Sequence, residues 1–166
     1  MSNNSLLIIN GPGLSDLSNY NELGNGHLTL DIVRKKCADT CKIFGLKMDF
    51  RQTDDEAELS RILKDGIEDF DALIINPAGY SHATSVDYTI YSSAIKTITR
   101  QNKPVIEVHI SNIFQQSVEN TKPIQVPKCK ERFVSGLGIH SYDLAICLLY
   151  TSDAADDTPC VDLGRR

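Results

Sequence analysis

Two short stretches carry side chains able to move protons. In Glu107-Val108-His109-Ile110-Ser111-Asn112, the alternation of an extended chain puts Glu107 and His109 on one side of a strand, Val105 to Ile110, that otherwise reads as buried. A carboxylate beside an imidazole in such a place can fix the tautomer of the ring, and the pair then suits general acid or base chemistry near neutral pH. The same two residues also read as a satisfied buried ion pair with no catalytic part. In Asn76-Pro77-Ala78-Gly79-Tyr80-Ser81-His82, an amide ends an apolar run and an imidazole follows in the next loop. A strand-end loop can turn both toward one pocket. The plainer reading has Asn76 bonding its own backbone, with His82 at the surface or capping a helix.

Other candidates carry less. Asn10-Gly11-Pro12-Gly13 is neither GxGxxG nor GxxxxGK, so nucleotide binding gets little support. His27 and His140 have no neighbouring ligand and read as surface residues, so no metal site is expected. The cysteines (Cys37, Cys41, Cys129, Cys147, Cys160) are odd in number and form no CxxC pair, which disfavours a disulfide framework and a zinc site alike. Cys37 and Cys41 share one helical face and read as small core residues.

Composition narrows the class. The chain has 166 residues, 41% hydrophobic and 23% charged, enough to bury one core without disulfides or metal. A formal charge of -5 argues against a nucleic-acid partner, which needs a concentrated basic face. The sequence holds no apolar run long enough for a membrane span, and the polar start Met1-Ser2-Asn3-Asn4 lacks the features of a signal peptide. The expectation is a cytoplasmic protein without a membrane partner. The glycosylation pattern Asn3-Asn4-Ser5 is set aside for want of a secretory route.

The elements that must position these residues alternate along the chain. Leu6 to Ile9, Lys47 to Arg51, Ala72 to Ile75, Val105 to Ile110 and Phe133 to Gly138 read as strands. Between them lie a helix capped by Thr29 and ended by Gly45, one opened by Asp54-Asp55-Glu56, one from Ser85 through Ile98, and a last one from Tyr142 to Leu149. The expected fold is therefore α/β, an open parallel sheet with helices on both faces, with ligands outside the carboxyl ends of the strands after Ile9, Ile75 and Val108. One domain is expected over residues 1–149. The stretch 150–166 has no periodicity and reads as a disordered tail, or as an artefact resembling translated sequencing-adapter read-through.

Four segments in order, Leu6 to Leu14 (LLIINGPGL), Asp49 to Thr53 (DFRQT), Ile74 to Val86 (IINPAGYSHATSV) and Val105 to Ile113 (VIEVHISNI), resemble the type II 3-dehydroquinate dehydratases, and Gly136-Leu137-Gly138 extends the match. The resemblance implies a flavodoxin-like sheet and a homo-oligomer, a dodecamer built from trimers. It implies a small-molecule substrate, 3-dehydroquinate, dehydrated to 3-dehydroshikimate in the shikimate pathway of aromatic amino acid biosynthesis or in quinate catabolism, with no metal or cofactor. In that family a loop tyrosinate removes a proton next to the ketone to give an enolate, and a histidine protonates the departing hydroxyl in an anti elimination. His109 stands at the histidine's position with Glu107 orienting it, and Asn76, His82, Ile110 and Ser111 match substrate-binding positions.

The departures from the family pattern are as specific. Gly13 replaces the second Asn of NGPNLN, Tyr20 falls where the loop arginine belongs, and Asn25 falls where the catalytic tyrosine belongs. Thr89 and Ile90 lie near the family's Arg-Asp pair, and Gln116 and Asn120 stand at two downstream arginine positions. Tyr20, in the same loop, is the substitute base this implies, and Arg51 or Arg132 would be the cation that a phenolate needs. The altered contacts leave open a lyase for another hydroxylated ring acid, and a catalytically impaired paralogue that keeps ligand binding and an oligomer scaffold.

Overall fold

The computed structural model describes residues 4–17, 28–65, 67–77, 88–112 and 132–156. Along them run β1 (Ser5–Asn10), α1 (Leu30–Ile43), β2 (Lys47–Gln52), α2 (Glu56–Asp65), β3 (Ala72–Asn76), α3 (Tyr88–Arg100), β4 (Val105–His109), β5 (Phe133–Ser135) and α4 (His140–Asp156). Every paired strand is parallel, and the order is β2-β1-β3-β4-β5. This is the flavodoxin-like order, in which the winding reverses between β1 and β3.

The apolar runs become strands because both of their faces are covered. Leu6, Ile8, Ile74, Ile106 and Val108 pack on one face with Val33, Cys37 and Cys41 of α1 and with Tyr142, Ala145 and Ile146 of α4. Leu7, Ile9, Leu73, Ile75 and Val105 pack on the other with Leu59 and Leu63 of α2 and with Ala94, Ile95 and Ile98 of α3. The helix ends follow the sequence signals. The Thr29 side chain accepts from the Ile32 amide at 3.3 Å, and Gly45 leaves α1 at φ +67°. At α2, Asp55 Oδ1 accepts from the Ala57 amide at 2.8 Å.

Several boundaries differ from expectation, for physical reasons. β5 stops at Ser135 rather than Gly138 because Gly136 (φ +83°) and Gly138 (φ +60°) take conformations that cannot continue a strand. α4 begins at His140, before Tyr142, and continues to Asp156, past the Leu149 boundary drawn from composition. Polar but helix-compatible residues sustain it, and the Thr151 hydroxyl bonds back to the Cys147 carbonyl at 3.0 Å. Residues 157–166 of the expected tail lie outside the described residues. No helix among the described residues is long and apolar enough to cross a membrane.

Candidate active site

Glu107 and His109 lie on β4, both nearly sealed from solvent, with Glu107 Oε1 2.7 Å from His109 Nε2. The carboxylate holds that nitrogen as N–H, which leaves Nδ1 to exchange a proton with a ligand. Of the two readings of this pair, the buried contact itself is therefore present. The β4 end is also clamped. The His109 carbonyl accepts from the Gly136 amide at 3.3 Å, the Ile110 carbonyl from the Gly138 amide at 3.0 Å, and the Ser111 carbonyl from the Ser135 hydroxyl at 3.1 Å. Ile110 is buried and Ser111 exposed, directly beyond the strand.

Asn76 ends β3, where it pairs in register with Asn10 at the end of β1. This is the point at which the winding reverses, the usual place for a ligand in such a sheet. Both amides are fully buried. Asn76 Nδ2 donates to the Tyr142 hydroxyl at 2.7 Å, that hydroxyl donates to Asn10 Oδ1 at 2.6 Å, and Asn10 Nδ2 donates to the Arg51 carbonyl at 3.0 Å. Asn76 Oδ1 is buried without a hydrogen-bond partner among the described residues. The expectation that a strand-end Asn bonds its own backbone is thus not what Asn76 does.

Alternation puts Asn76 with Ile74 on the α1/α4 face and Glu107 with Val105 on the α2/α3 face. A ligand could touch both groups only across the strand tips. Beside them, the loop after β1 is drawn in by Asp54, whose Oδ1 accepts from the Gly13 amide at 2.9 Å and from Gln52 Nε2 at 2.8 Å. The Gly13 bond, with help from the Ser15 and Gln52 side chains, holds the Asp54 carboxyl below its ordinary pKa. Gly11 sits close under this loop, its amide on the Asn76 carbonyl at 2.8 Å.

Tyr20 and His82 lie outside the described residues, as do Gln116 and Asn120. Arg51 is engaged within its own strand, with Nη2 2.7 Å from Asp49 Oδ2 and the guanidinium over Phe70. His140 is exposed as expected, with its Nδ1 3.2 Å from Asp143 Oδ2. Cys37 and Cys41 are core residues, and burial pushes the Cys41 thiol up to about 11. Sequence reading missed Asn10 and Tyr142. Asn10 ends the first apolar run just as Asn76 ends the third, and that parallel was the available signal; nothing in the sequence marks the Tyr142 hydroxyl.

Comparison with known proteins agrees with this geometry. The profile of the family described as dehydroquinase class II matches residues 4–150. The 3-dehydroquinate dehydratase of Clostridium botulinum (strain Hall) is 33% identical over 144 residues, covering 86% of this chain and 92% of that protein. The one from Caldicellulosiruptor bescii is 35% identical over 145 residues, covering 87% and 94%. Among solved structures, the type II dehydroquinase from Propionibacterium acnes superposes with a TM-score of 0.70 at 28% identity, covering 89% of this chain and 97% of that one. A 3-dehydroquinate dehydratase-like protein from Bifidobacterium longum gives 0.64 at 29% identity, covering 89% and 96%. With the sheet order, the buried Glu107–His109 pair and a family match over nearly the whole described length, this chain belongs to the class II dehydroquinases.

Proposed function

We propose that this protein is a 3-dehydroquinate dehydratase, a hydro-lyase that forms 3-dehydroshikimate by anti elimination through an enolate. The observation that carries the reading is the buried contact of 2.7 Å between Glu107 and His109 at the carboxyl end of β4. His109 is the general acid that protonates the departing hydroxyl, and Glu107 orients it. Asn76, His82, Ile110 and Ser111 hold the substrate, and Tyr20 is the base that removes the proton next to the ketone. The full chain is mixed with 3-dehydroquinate and the conjugated enone product followed by ultraviolet absorbance, with His109→Ala and Tyr20→Phe alongside. Turnover that is lost in the first variant and sharply reduced in the second is expected. A folded wild type with no product above the His109→Ala control refutes the reading.

One observation favours a second reading, a lyase or binding protein for a different hydroxylated ring acid. Where the family carries an asparagine, Gly13 stands at φ +89° with open space around its missing side chain. The exposed loop beside Asp54 thus lacks the side chain that the family carries there. Under this reading the wild type is inactive on 3-dehydroquinate yet melts at a higher temperature with other ring acids.

The proposal extends to a cytoplasmic homo-oligomer. Exposed apolar side chains at Phe133, Leu137, Leu144 and Leu148, around β5 and α4, support assembly. Sedimentation tests it, with a mass many times the 18.4 kDa of the chain as the expected result.

A further inference from the structure

The hydrogen bonds around Asn76 fix which way its amide faces. The Arg51 carbonyl only accepts, so the Asn10 atom 3.0 Å from it is the NH2 group. Asn10 Oδ1 therefore faces the Tyr142 hydroxyl at 2.6 Å, and the single phenolic proton goes to it. With its own proton on Asn10, the phenol oxygen accepts from the Asn76 NH2 at 2.7 Å. The main chain on both sides is already held, by the Thr53 amide on the Asn10 carbonyl at 3.0 Å and the Gly11 amide on the Asn76 carbonyl at 2.8 Å. Only the side-chain torsions of Asn76 are left to set, and Tyr142 sets them.

The consequence is an acceptor without a donor. Asn76 Oδ1 is fully buried and has no partner among the described residues, which is costly for a carbonyl unless a ligand or a water supplies a proton. All three side chains sit at the place where ligands enter such sheets, and each is at most 1% exposed. We propose that Tyr142, backed by Asn10, is a positioning residue for Asn76. It holds the carboxamide with its carbonyl oxygen turned out of the network, ready to accept from a substrate hydroxyl or from a water that such a hydroxyl holds.

This inference rests on the dehydratase reading, and its test separates the two. Steady-state dehydration of 3-dehydroquinate is compared in wild type, Tyr142→Phe, Asn76→Ala and the double variant. The expected result is a loss of about five- to a hundredfold in kcat/KM for Tyr142→Phe, the size of one buried hydrogen bond, and no further loss when that change is added to Asn76→Ala. A residue that only stabilised the fold would lower both backgrounds alike, so additive losses overturn the inference while the dehydratase reading stands. An unchanged Tyr142→Phe also overturns it. Absence of turnover in the wild type overturns the reading and the inference together. Should Tyr142→Phe fail to fold, Asn10→Ser, which withdraws the acceptor behind the phenol, takes its place in the same cycle.

Discussion

Alanine at Gly136 should destabilise the protein more than alanine at Gly13, although the two glycines have nearly the same φ, +83° and +89°. Putting a side chain into that left-handed region costs about 1–2 kcal/mol at either site. Restricting the unfolded chain returns about 0.4–1 kcal/mol, so Gly13→Ala, whose new methyl meets nothing within 4 Å, should lose about 1.6 kcal/mol or less. At Gly136 the methyl would stand 3.2 Å from Asn112 Cβ and 3.3 Å from Asn112 Cα. Main-chain atoms cannot swing aside, and overpacking of this kind adds about 1–3 kcal/mol to the loss expected at Gly13.

Urea unfolding at fixed protein concentration reads the difference. With a slope of about 2 kcal/mol per molar, the midpoint should fall by about 0.8 M or less for Gly13→Ala and by about 0.5–1.5 M more than that for Gly136→Ala. Gly136→Ala should also weaken substrate binding, because the clash falls on the segment that carries Ile110 and Ser111. Equal midpoints for the two variants would refute the view that a close approach between residues 112 and 136 shapes the end of β4.

Asp54 gives a pH prediction. Its carboxyl is held below its ordinary pKa, so its contribution to stability is complete above about pH 4, the unfolded value, and is lost as pH falls through the folded one. Asp71, lowered mainly by its bond from the Ser5 amide, acts in the same window, so Asp54→Asn should make the acid loss of stability shallower without abolishing it; identical slopes would contradict this. Thr29→Ala should cost about 1 kcal/mol in urea unfolding through loss of the α1 cap, and a change of a few tenths would show that the cap carries little. In native protein at pH 8, iodoacetamide should modify the half-buried Cys147 well before Cys41, whose thiol is pushed up to about 11, and peptide mapping that finds Cys41 labelled as fast would contradict its burial.

The fold was legible where burial on both faces writes an unbroken apolar run, as in Leu6 to Ile9 and Ala72 to Ile75. The cap at Thr29 and the stop at Gly45 were legible because each is a local demand of the backbone. The Glu107–His109 pair was legible for the same reason, since two residues apart on a strand is a local relation. The Asn10–Tyr142–Asn76 network was not, because its members lie 132 and 66 residues apart and only the sheet order brings them together. Composition also misled at the end of α4, where polar residues without apolar periodicity still extend a helix begun on a buried face.

The most direct test of His109 as the proton donor follows 3-dehydroquinate by proton NMR in deuterium oxide, with wild type and His109→Ala side by side. Removal of the proton next to the ketone and loss of the hydroxyl are then read separately. Elimination should fall by about two to four orders of magnitude in His109→Ala, while exchange of that proton with solvent continues, because the base half of the reaction does not use the imidazole. Elimination by His109→Ala at the wild-type rate would contradict the role of the buried Glu107–His109 pair in this enzyme.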